Sequence, residues 1–326
     1  MNWATRSATV ASIVLGLMFP VTFARAAGIQ ALKVPADGAL PALAGAVWYP
    51  CAIAPTAMQL GPFPVSAAKD CPVVGTNLPL IVISHGRTGS FLGHRDTAQA
   101  LADAGFIVAA ISHPGDNAQD SSRSNDLAAF VERPADIKRV VDYLLGASRL
   151  SSVIDPDRIG LFGFSRGGYT GLVVAGAEPR FGAAIGMCTG QTSTICEEVR
   201  QGRFEPLVHD GRIKAAVIAD PLSIFFTNTS FDEVRIPIQL WRSERGGDGV
   251  TPDSVAAVAG ELPVKPDFRT VPNAQHFSFL PACPDDMVRR VPELCTDPSD
   301  FDREAFHKEF NAQVLDFFRQ ALHSHR

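Results

Sequence analysis

The sequence predicts an α/β fold with a mostly parallel central sheet and helices on both of its faces. From Leu78 onwards, short continuous apolar runs alternate with longer stretches in which apolar residues recur about every 3.6 positions. Continuous apolar runs are typical of strands that are buried on both faces, and their alternation with helical patterns favours a parallel sheet. The composition is that of a globular chain, because 46% of the 326 residues are hydrophobic and 19% are charged.

The individual elements follow from this alternation. Strands are predicted at residues 78–86, 105–115, 158–165, 213–221, 236–243 and 268–276, and helices at residues 94–105, 133–147 and 303–322. Residues 28–50 are expected to add antiparallel edge strands. The polar stretch 178–212 interrupts the alternation, and we expect it to be an insertion over the carboxyl ends of the strands, where open α/β sheets place their sites. Since no Gly/Ser-rich linker divides the chain, residues 27–326 are expected to form one domain.

The first 26 residues have the pattern of a secretory signal sequence. Arg6 precedes an uncharged stretch that ends in small residues, and Ala24, Arg25 and Ala26 fit an A-x-A cleavage site. An uncleaved anchor is the alternative, because Ser7 to Ala24 carries no charge, but a proline within the stretch and its small-residue end argue against it. We therefore expect an exported protein, periplasmic or secreted, with no membrane span after processing.

The charge of the processed chain bears on its binding partners, and its cysteines bear on its disulfide bridges. Removal of the signal sequence takes away two arginines and no acid, which changes the formal charge from −5 to −7 and makes nucleic acid a poor partner. Six cysteines remain, and an even number in an exported chain favours disulfides. Because the cysteines fall into three sequence-local couples, the predicted bridges are Cys51–Cys71, Cys188–Cys196 and Cys283–Cys295.

A G-x-S-x-G motif, residues 163–167, follows an apolar strand and precedes a helical pattern. In this context the motif places its serine on a sharp strand-to-helix turn, and the glycines let the backbone fold tightly around it. Ser165 is therefore the predicted nucleophile, with its hydroxyl lifted out of the sheet towards solvent. The backbone N–H of Arg166, at the amino end of the helix, is a predicted oxyanion donor.

A serine nucleophile needs a histidine base and a carboxylate that orients it, in the chain order Ser, acid, His. His276 is the predicted base because it follows the last strand. The other histidines beyond Ser165 precede the candidate acids, lie in the final helix or lie in the tail: His209, His307, His323 and His325. Two aspartates, Asp220 and Asp248, lie at strand ends. We favour Asp248, since a glycine-containing loop after the penultimate strand usually presents the acid, and Asp220 is the alternative.

The loop after the strand at 78–86 is expected to supply the second oxyanion donor, the backbone N–H of Arg87, with Gly86 permitting close approach. His85 is interpreted as a residue that orients this loop rather than as a catalytic or metal-binding one. The histidines at 94 and 113 are too widely spaced for a dense metal-ligand motif, and no C-x-x-C occurs, so neither a metal site nor a cofactor is predicted.

Several segments together resemble a known family: "LPLIVISHGRTGS", "GFSRGG", "IPIQLWRSERGGDGVTP", "NAQHFSFL", "CPDDMVRRVPELC" and "FDREAFHKEFNAQVLDFF". They are similar to the exported bacterial α/β-hydrolases called predicted dienelactone hydrolases, relatives of platelet-activating-factor acetylhydrolase and, more distantly, of polyester hydrolases. The resemblance implies an α/β-hydrolase fold and a serine esterase triad. It leaves the acid open, since acetylhydrolases take it from the strand position of Asp220 and polyester hydrolases from that of Asp248. Authentic dienelactone hydrolases use a cysteine, which puts dienelactone in doubt as the substrate.

The sequence thus predicts a carboxylic ester hydrolase that works through an acyl-enzyme on a small-molecule ester or a lipid- or polyester-like substrate. A catalytically silent binding protein with the same fold is the alternative from another class, and the complete Ser/Asp/His set argues against it. An acyltransferase differs only in whether water or another alcohol accepts the acyl group.

Overall fold

A ten-stranded sheet forms the centre of the computed structural model, which describes residues 26–202 and 206–323. In chain order its strands are β1 (Ala26–Val34), β2 (Leu43–Cys51), β3 (Thr56–Leu60), β4 (Phe63–Lys69), β5 (Leu78–Ser84), β6 (Ile107–Ser112), β7 (Ile154–Phe164), β8 (Ile213–Ala219), β9 (Ile238–Ser243) and β10 (Asp267–Val271). In space the order is β10-β9-β8-β7-β5-β6-β2-β1-β4-β3.

The six strands β5 to β10 are parallel and correspond to the six strands predicted from the apolar runs. All seven residues of β5 are buried, which explains why its sequence is continuously apolar. Successive side chains point to opposite faces, so Leu80 and Val82 contribute to one core while Ile81 and Ile83 contribute to the other. Parallel strands place their carboxyl ends on one edge of the sheet, where their loops converge.

Residues 28–50 form antiparallel strands as predicted, but these strands do not lie at the edge of the sheet. β2 pairs with β6, and β1 pairs with β2 on its other side. The edge is a β3–β4 hairpin that the sequence analysis did not predict, with β4 parallel to β1. The pattern of β3 and β4 is weak because most of their residues are partly or fully exposed, as is usual for an edge.

Helices cover both faces of the sheet. They are α1 (Arg95–Asp103), α2 (Ala128–Leu145), α3 (Arg166–Val174), α4 (Thr194–Gln201), α5 (Pro252–Glu261), α6 (Asp285–Arg290), α7 (Pro292–Cys295) and α8 (Arg303–Ala321). α1 and α8 pack on one face, while α2, α3 and α5 pack on the other. α2 begins five residues earlier than predicted, and this places Arg133 inside the helix, where it is buried.

The polar stretch 178–212 lies between α3 and β8, the position that the sequence analysis gave to an insertion. It contains a 3-10 helix (Phe181–Cys188) and α4, and residues 203–205 lie outside the described part of the chain. Phe181 and Val199 pack with residues of α2 and α3 in a small third core. This stretch therefore rests on the sheet-covering helices rather than adding strands.

All three predicted disulfides are confirmed: Cys51–Cys71, Cys188–Cys196 and Cys283–Cys295. The second closes the insertion on itself, and the third ties α7 to the loop before α6. The predicted signal sequence lies outside the described residues except for Ala26, which begins β1 and pairs with Cys51. Within the described ranges, no helix combines the length and the apolar character needed to cross a bilayer.

Candidate active site

Ser165 lies on the turn between β7 and α3, with φ 56° and ψ −118°, a conformation that non-glycine residues rarely adopt. Both motif glycines are sterically required. A β-carbon on Gly163 would overlap the carbonyl of Gly167, and one on Gly167 would overlap the carbonyl of Ser84. The turn thus packs directly against the end of β5, and this packing maintains the strained serine.

Three side chains form a continuous hydrogen-bonded chain at this point. Nε2 of His276 lies 2.9 Å from Oγ of Ser165, and Nδ1 of His276 lies 2.8 Å from Oδ2 of Asp220. All three residues are buried, and the serine is only 4% exposed, so its hydroxyl opens into a cavity rather than into bulk solvent as the sequence analysis expected. With the Nδ1 proton donated to the carboxylate, Nε2 is free to accept the serine proton.

The positions of the acid and the base follow from the strand ends. Asp220 comes directly after β8 with φ 45°, and its carboxylate accepts hydrogen bonds from the backbone N–H (2.9 Å) and the hydroxyl (2.6 Å) of Ser243, at the end of β9. His276 begins a 3-10 turn after β10, and its ring stacks on Phe164 with the ring centroids 4.7 Å apart. Both side chains are therefore held in a single orientation.

The carboxylate that contacts His276 is that of Asp220, the alternative in the sequence analysis, and not that of the favoured Asp248. Asp248 lies in the loop between β9 and α5, is exposed, and borders the space in front of Ser165. The loop contacts the backbone and Cβ of His276 and not its ring nitrogens. His276 donates its backbone N–H to the carbonyl of Gly246, and Gly247 lies against its Cβ. Because the loop supports the histidine backbone, its aspartate does not face Nδ1.

The two predicted oxyanion donors flank the serine. Arg166 is the first residue of α3, so its backbone N–H has no acceptor within the helix. Gly86 lies close to the turn that carries Ser165, so a β-carbon on Gly86 would be 3.1 Å from the Phe164 ring and 3.3 Å from Cβ of Ser165. Arg87 follows it and lines the same space as Ser165.

A buried ion-pair network that the sequence analysis missed holds this loop. Arg133 donates to the carbonyls of His85 (2.7 Å) and Gly86 (3.2 Å) and pairs with Asp116 at 2.8 Å. Asp116 also accepts the backbone N–H of Thr88 at 3.0 Å. Burial lowers the pKa of Arg133 to about 10, which leaves it charged at neutral pH. The sequence gives one indication of this network, because Arg133 stands at a position where the helical pattern of α2 calls for an apolar residue.

The Arg166 side chain joins the same carboxylate, at 2.7 Å from Asp116, and its guanidinium lies over the Phe130 ring. Burial alone would raise the pKa of Asp116, but its two arginine partners lower it below the ordinary value. The carboxylate is therefore ionised, and it links the loop at residues 85–88, α2 and Arg166, the residue that follows Ser165.

His85 has the loop-orienting role that the sequence analysis assigned to it. Its Nδ1–H donates to the carbonyl of Gly86 at 2.6 Å, and its Nε2 accepts the backbone N–H of His113 at 3.1 Å. Burial, and then the charge of Arg133, lower its pKa well below the usual range, so the ring is neutral. Both nitrogens are engaged within the protein.

Two cavities border Ser165 and share Arg87 and Asp248 in their linings. The outer cavity, of about 520 Å³, is lined by Arg87, Ser124, Asn125, Phe130, Ser165, Arg166, Ser193, Thr194, Ile195, Leu222, Ile224 and Asp248. Residues 193–195 belong to the insertion, which therefore forms part of its wall. The inner cavity, of about 170 Å³, is lined by residues 85–89, Gly93, His94, Phe164, Ser165, Asp248, Phe277, Leu280 and Leu294.

Of the histidines that the sequence analysis set aside, His209, His307 and His323 have partners other than Ser165, and His325 lies outside the described residues. His307, in α8, contacts Asp96 at 2.7 Å and the carbonyl of Ser278 at 3.0 Å, and so braces the turn that carries His276. His209 pairs with Glu178. In the described part of the chain, no group of three or more His, Cys, Asp or Glu side chains could hold a metal ion.

Comparison with known proteins agrees with this architecture. The chain can be superposed on a ferulic acid esterase from Streptomyces cinnamoneus with a TM-score of 0.62 and 19% identity, over 93% of this chain and 91% of the other. This chain has the α/β-hydrolase fold. At this identity the likeness establishes the fold and nothing finer.

Two sequence similarities cover smaller parts of the chain. The prolyl oligopeptidase family matches residues 93–189, a segment that contains Ser165 but neither Asp220 nor His276. The putative esterase NocK of Nocardia uniformis subsp. tsuyamanensis is 31% identical over 138 residues, which are 41% of this chain and 39% of that protein. The chain therefore matches well under half of the length of this curated relative.

Proposed function

We propose that the protein is a serine hydrolase of carboxylic esters and that Ser165, His276 and Asp220 are its catalytic triad. The observation that carries the proposal is the unbroken set of contacts from Oγ of Ser165 through both ring nitrogens of His276 to Oδ2 of Asp220, at 2.9 Å and 2.8 Å. The α/β-hydrolase fold and the partial similarity to a putative esterase support the choice of ester chemistry.

In the proposed reaction, Oγ of Ser165 attacks the ester carbonyl while Nε2 of His276 takes its proton. The backbone N–H groups of Arg87 and Arg166 stabilise the negative oxygen of the tetrahedral intermediate. The C–O bond to the alcohol then breaks, and the alcohol leaves with the proton from Nε2. Water repeats the sequence on the acyl-enzyme and releases the acid.

The geometry supports a substrate that occupies both cavities, because Ser165 lines the outer and the inner one. The outer cavity combines apolar side chains with Arg87 and Asp248, so it suits the larger and partly polar portion of an ester. Residues 178–212 are proposed as a cap, since they supply Ser193, Thr194 and Ile195 to its wall.

Export to an oxidising compartment, the periplasm or the exterior, is part of the proposal. The three disulfides support it, because such bridges form and persist in oxidising surroundings. The processed protein is then expected to act on esters outside the cytoplasm.

Exchange of Ser165 for Ala tests the proposal with 4-nitrophenyl acetate as substrate. We expect the variant to fold, because a buried methyl group replaces the hydroxyl, and to lose at least about 10³-fold in kcat/KM. A fluorophosphonate probe should label the wild type at Ser165 and leave the variant unlabelled. Retention of wild-type turnover by a folded S165A variant would refute the mechanism, and an inactive wild type would favour a silent binding protein.

Peptide-bond hydrolysis is a second candidate, favoured by the match of residues 93–189 to the prolyl oligopeptidase family. The same triad can cleave an amide when the site protonates the leaving amine. Parallel assays with a blocked prolyl 4-nitroanilide and 4-nitrophenyl acetate distinguish the two, and we expect the ester to be turned over far faster.

A further inference from the structure

A second hydrogen-bonded set of serine, histidine and aspartate lies behind the loop at residues 85–88. Nε2 of His113 lies 3.0 Å from Oγ of Ser84, and Nδ1 of His113 lies 2.9 Å from Oδ2 of Asp136. These contacts repeat, in type and in length, those of the proposed catalytic triad. Ser84 and His113 are completely buried and Asp136 is only 3% exposed, so no substrate can reach them. The set can therefore influence a reaction only through the residues that it holds.

Ser84 lies at the junction between the two proposed oxyanion donors. It is the last residue of β5, and the loop that follows it carries Arg87. Its carbonyl packs against the turn of the nucleophile, because a β-carbon on Gly167 would overlap that oxygen. The position of Ser84 therefore sets how far the backbone N–H of Arg87 lies from that of Arg166.

His113 holds this junction at two points. Its ring contacts the hydroxyl of Ser84, and its backbone N–H donates to Nε2 of His85 at 3.1 Å. The rings of His85 and His113 also lie close together, with their centroids 5.1 Å apart. Since His113 directly follows β6, which pairs with β5, these contacts tie the ends of two adjacent parallel strands together.

The protons on the His113 ring can be placed from its surroundings. Burial, and then the charge of Arg133, lower its pKa well below the usual range, so the ring is neutral. Burial raises the pKa of Asp136 to about 7, although Arg139 and Arg133 oppose the rise, so the carboxylate is ionised at about pH 8.5. At that pH the Nδ1–H of His113 donates to Asp136, and Nε2 accepts a hydrogen bond from the hydroxyl of Ser84.

Asp136 is itself fixed to the rest of the protein. It belongs to α2, and its Oδ1 lies 3.3 Å from Nη1 of Arg139. Nη2 of Arg139 donates to the carbonyls of Pro35 and Pro41, at 2.7 Å and 2.8 Å. The contacts thus run from the segment between β1 and β2 through α2 to the end of β5, and they hold the side chain of Ser84 in one position.

We propose that Ser84, His113 and Asp136 are positioning residues that fix the distance between the two oxyanion donors of the ester hydrolase. This assignment rests on the proposed function and adds three residues that do not touch the substrate. A loosened junction leaves substrate binding intact but weakens the hydrogen bonds to the tetrahedral intermediate, since such donors act only when they are held in place. Loss of one of these contacts should therefore lower kcat and leave KM nearly unchanged.

Ser84→Ala removes the hydroxyl and leaves the rest of the set in place. With 4-nitrophenyl acetate at about pH 8.5, kcat is expected to fall about tenfold while KM stays within about twofold. The reason is that removal of an oxyanion donor costs about 10²- to 10³-fold, and a displaced donor keeps part of its effect. The affinity for an alkyl trifluoromethyl ketone, which forms a tetrahedral oxyanion on a nucleophilic serine, should fall by the same factor.

Two exchanges of His113 separate its two ring contacts. Glutamine places its amide near the position of Nε2, and asparagine places its amide near that of Nδ1. His113→Gln keeps a partner for Ser84, so it should retain more of kcat than His113→Asn, which keeps a partner only for Asp136. Val140→Ala is the control, because Val140 is a buried residue of the same helix as Asp136. It should lower the urea midpoint and leave kcat within about twofold.

The outcomes separate this assignment from a general effect on stability and from the proposed function. Unchanged kcat in folded S84A and H113N overturns it, and so does a rise in KM at constant kcat. An equal fall of kcat in V140A overturns it as well, because lost stability would then be the cause. Reduced kcat in S84A with full affinity for the ketone also overturns it, since the oxyanion donors would not be involved. A wild type that hydrolyses no ester and escapes the fluorophosphonate probe contradicts the proposed function instead.

Discussion

Exchange of Asp220 for Asn keeps the shape of the side chain but replaces one carboxylate oxygen with an amide that donates hydrogen bonds. Oδ1 of Asp220 accepts the backbone N–H of Ser243 at 2.9 Å, whereas Oδ2 faces Nδ1 of His276 at 2.8 Å. In the variant, the amide oxygen keeps the first contact, so the NH₂ group must occupy the second. It can only donate to Nδ1, and the ring proton then moves to Nε2.

A proton on Nε2 removes the acceptor for Oγ of Ser165, so the nucleophile cannot be activated. The loss expected for the wrong tautomer is about 10³- to 10⁴-fold in kcat, which corresponds to about 4–5.5 kcal/mol in activation free energy. Since the side chain is completely buried, solvent cannot supply a substitute. Initial rates on 4-nitrophenyl acetate measure kcat, and circular dichroism checks that the variant folds.

Asp248→Asn is the matched control. Asp248 is exposed, lines both cavities and has no contact with Nδ1 of His276, so its exchange should change KM while kcat stays within about threefold. A larger fall in kcat for D248N than for D220N would refute the assignment of the acid and restore the preference drawn from the sequence.

Two further predictions concern the framework of the site. Gly167→Ala should lower the unfolding free energy by about 3 kcal/mol or more, because the new β-carbon overlaps the Ser84 carbonyl. Gly182→Ala is the control, since the space around Gly182 is open, and it should change the unfolding free energy by less than about 1 kcal/mol. Equal shifts in the urea midpoints of the two variants would contradict this prediction. Burial alone would raise the pKa of Asp96, but hydrogen bonds from His307 and Asn311 lower it to about 2. The ionised carboxylate therefore stabilises the fold above the unfolded pKa of about 4, and the unfolding free energy should fall by about 1–2 kcal/mol as the pH falls from 4 to 2. Acid unfolding of an Asp96→Asn variant with the same slope as that of the wild type would argue against the effect.

The placement of Ser165 on a sharp strand-to-helix turn could be predicted from the sequence because its determinants are local. The strand before Ser165, the glycines at 163 and 167 and the helical pattern after them are contiguous, and each has a direct steric or hydrogen-bonding meaning. The same holds for the six parallel strands, whose burial on both faces requires continuous apolar runs. The cysteine pairing was also local, since each bridge joins neighbours in the chain.

The edge of the sheet was harder to predict for the opposite reason. The strands β3 and β4 have few buried residues, so their pattern is hardly distinguishable from that of a loop. Their role depends on β4 pairing with β1, whose residues lie about forty positions away. Contacts of this kind leave no local signal.

The carboxylate that contacts His276 shows most clearly what only the tertiary structure decided. Asp220 and Asp248 both follow strands at the same edge of the sheet, and sequence order and spacing allow either to meet His276. The outcome depends on how the loop around Gly246 and Gly247 packs: it supports the backbone of His276 and leaves Nδ1 facing β8, where Asp220 is held by Ser243. Likewise, His94 has no recognisable motif, and only the folded chain shows that its ring is buried against Phe164, with neither nitrogen paired among the described residues. Directions of side chains across separate loops arise from packing between distant segments, and local sequence patterns do not encode them.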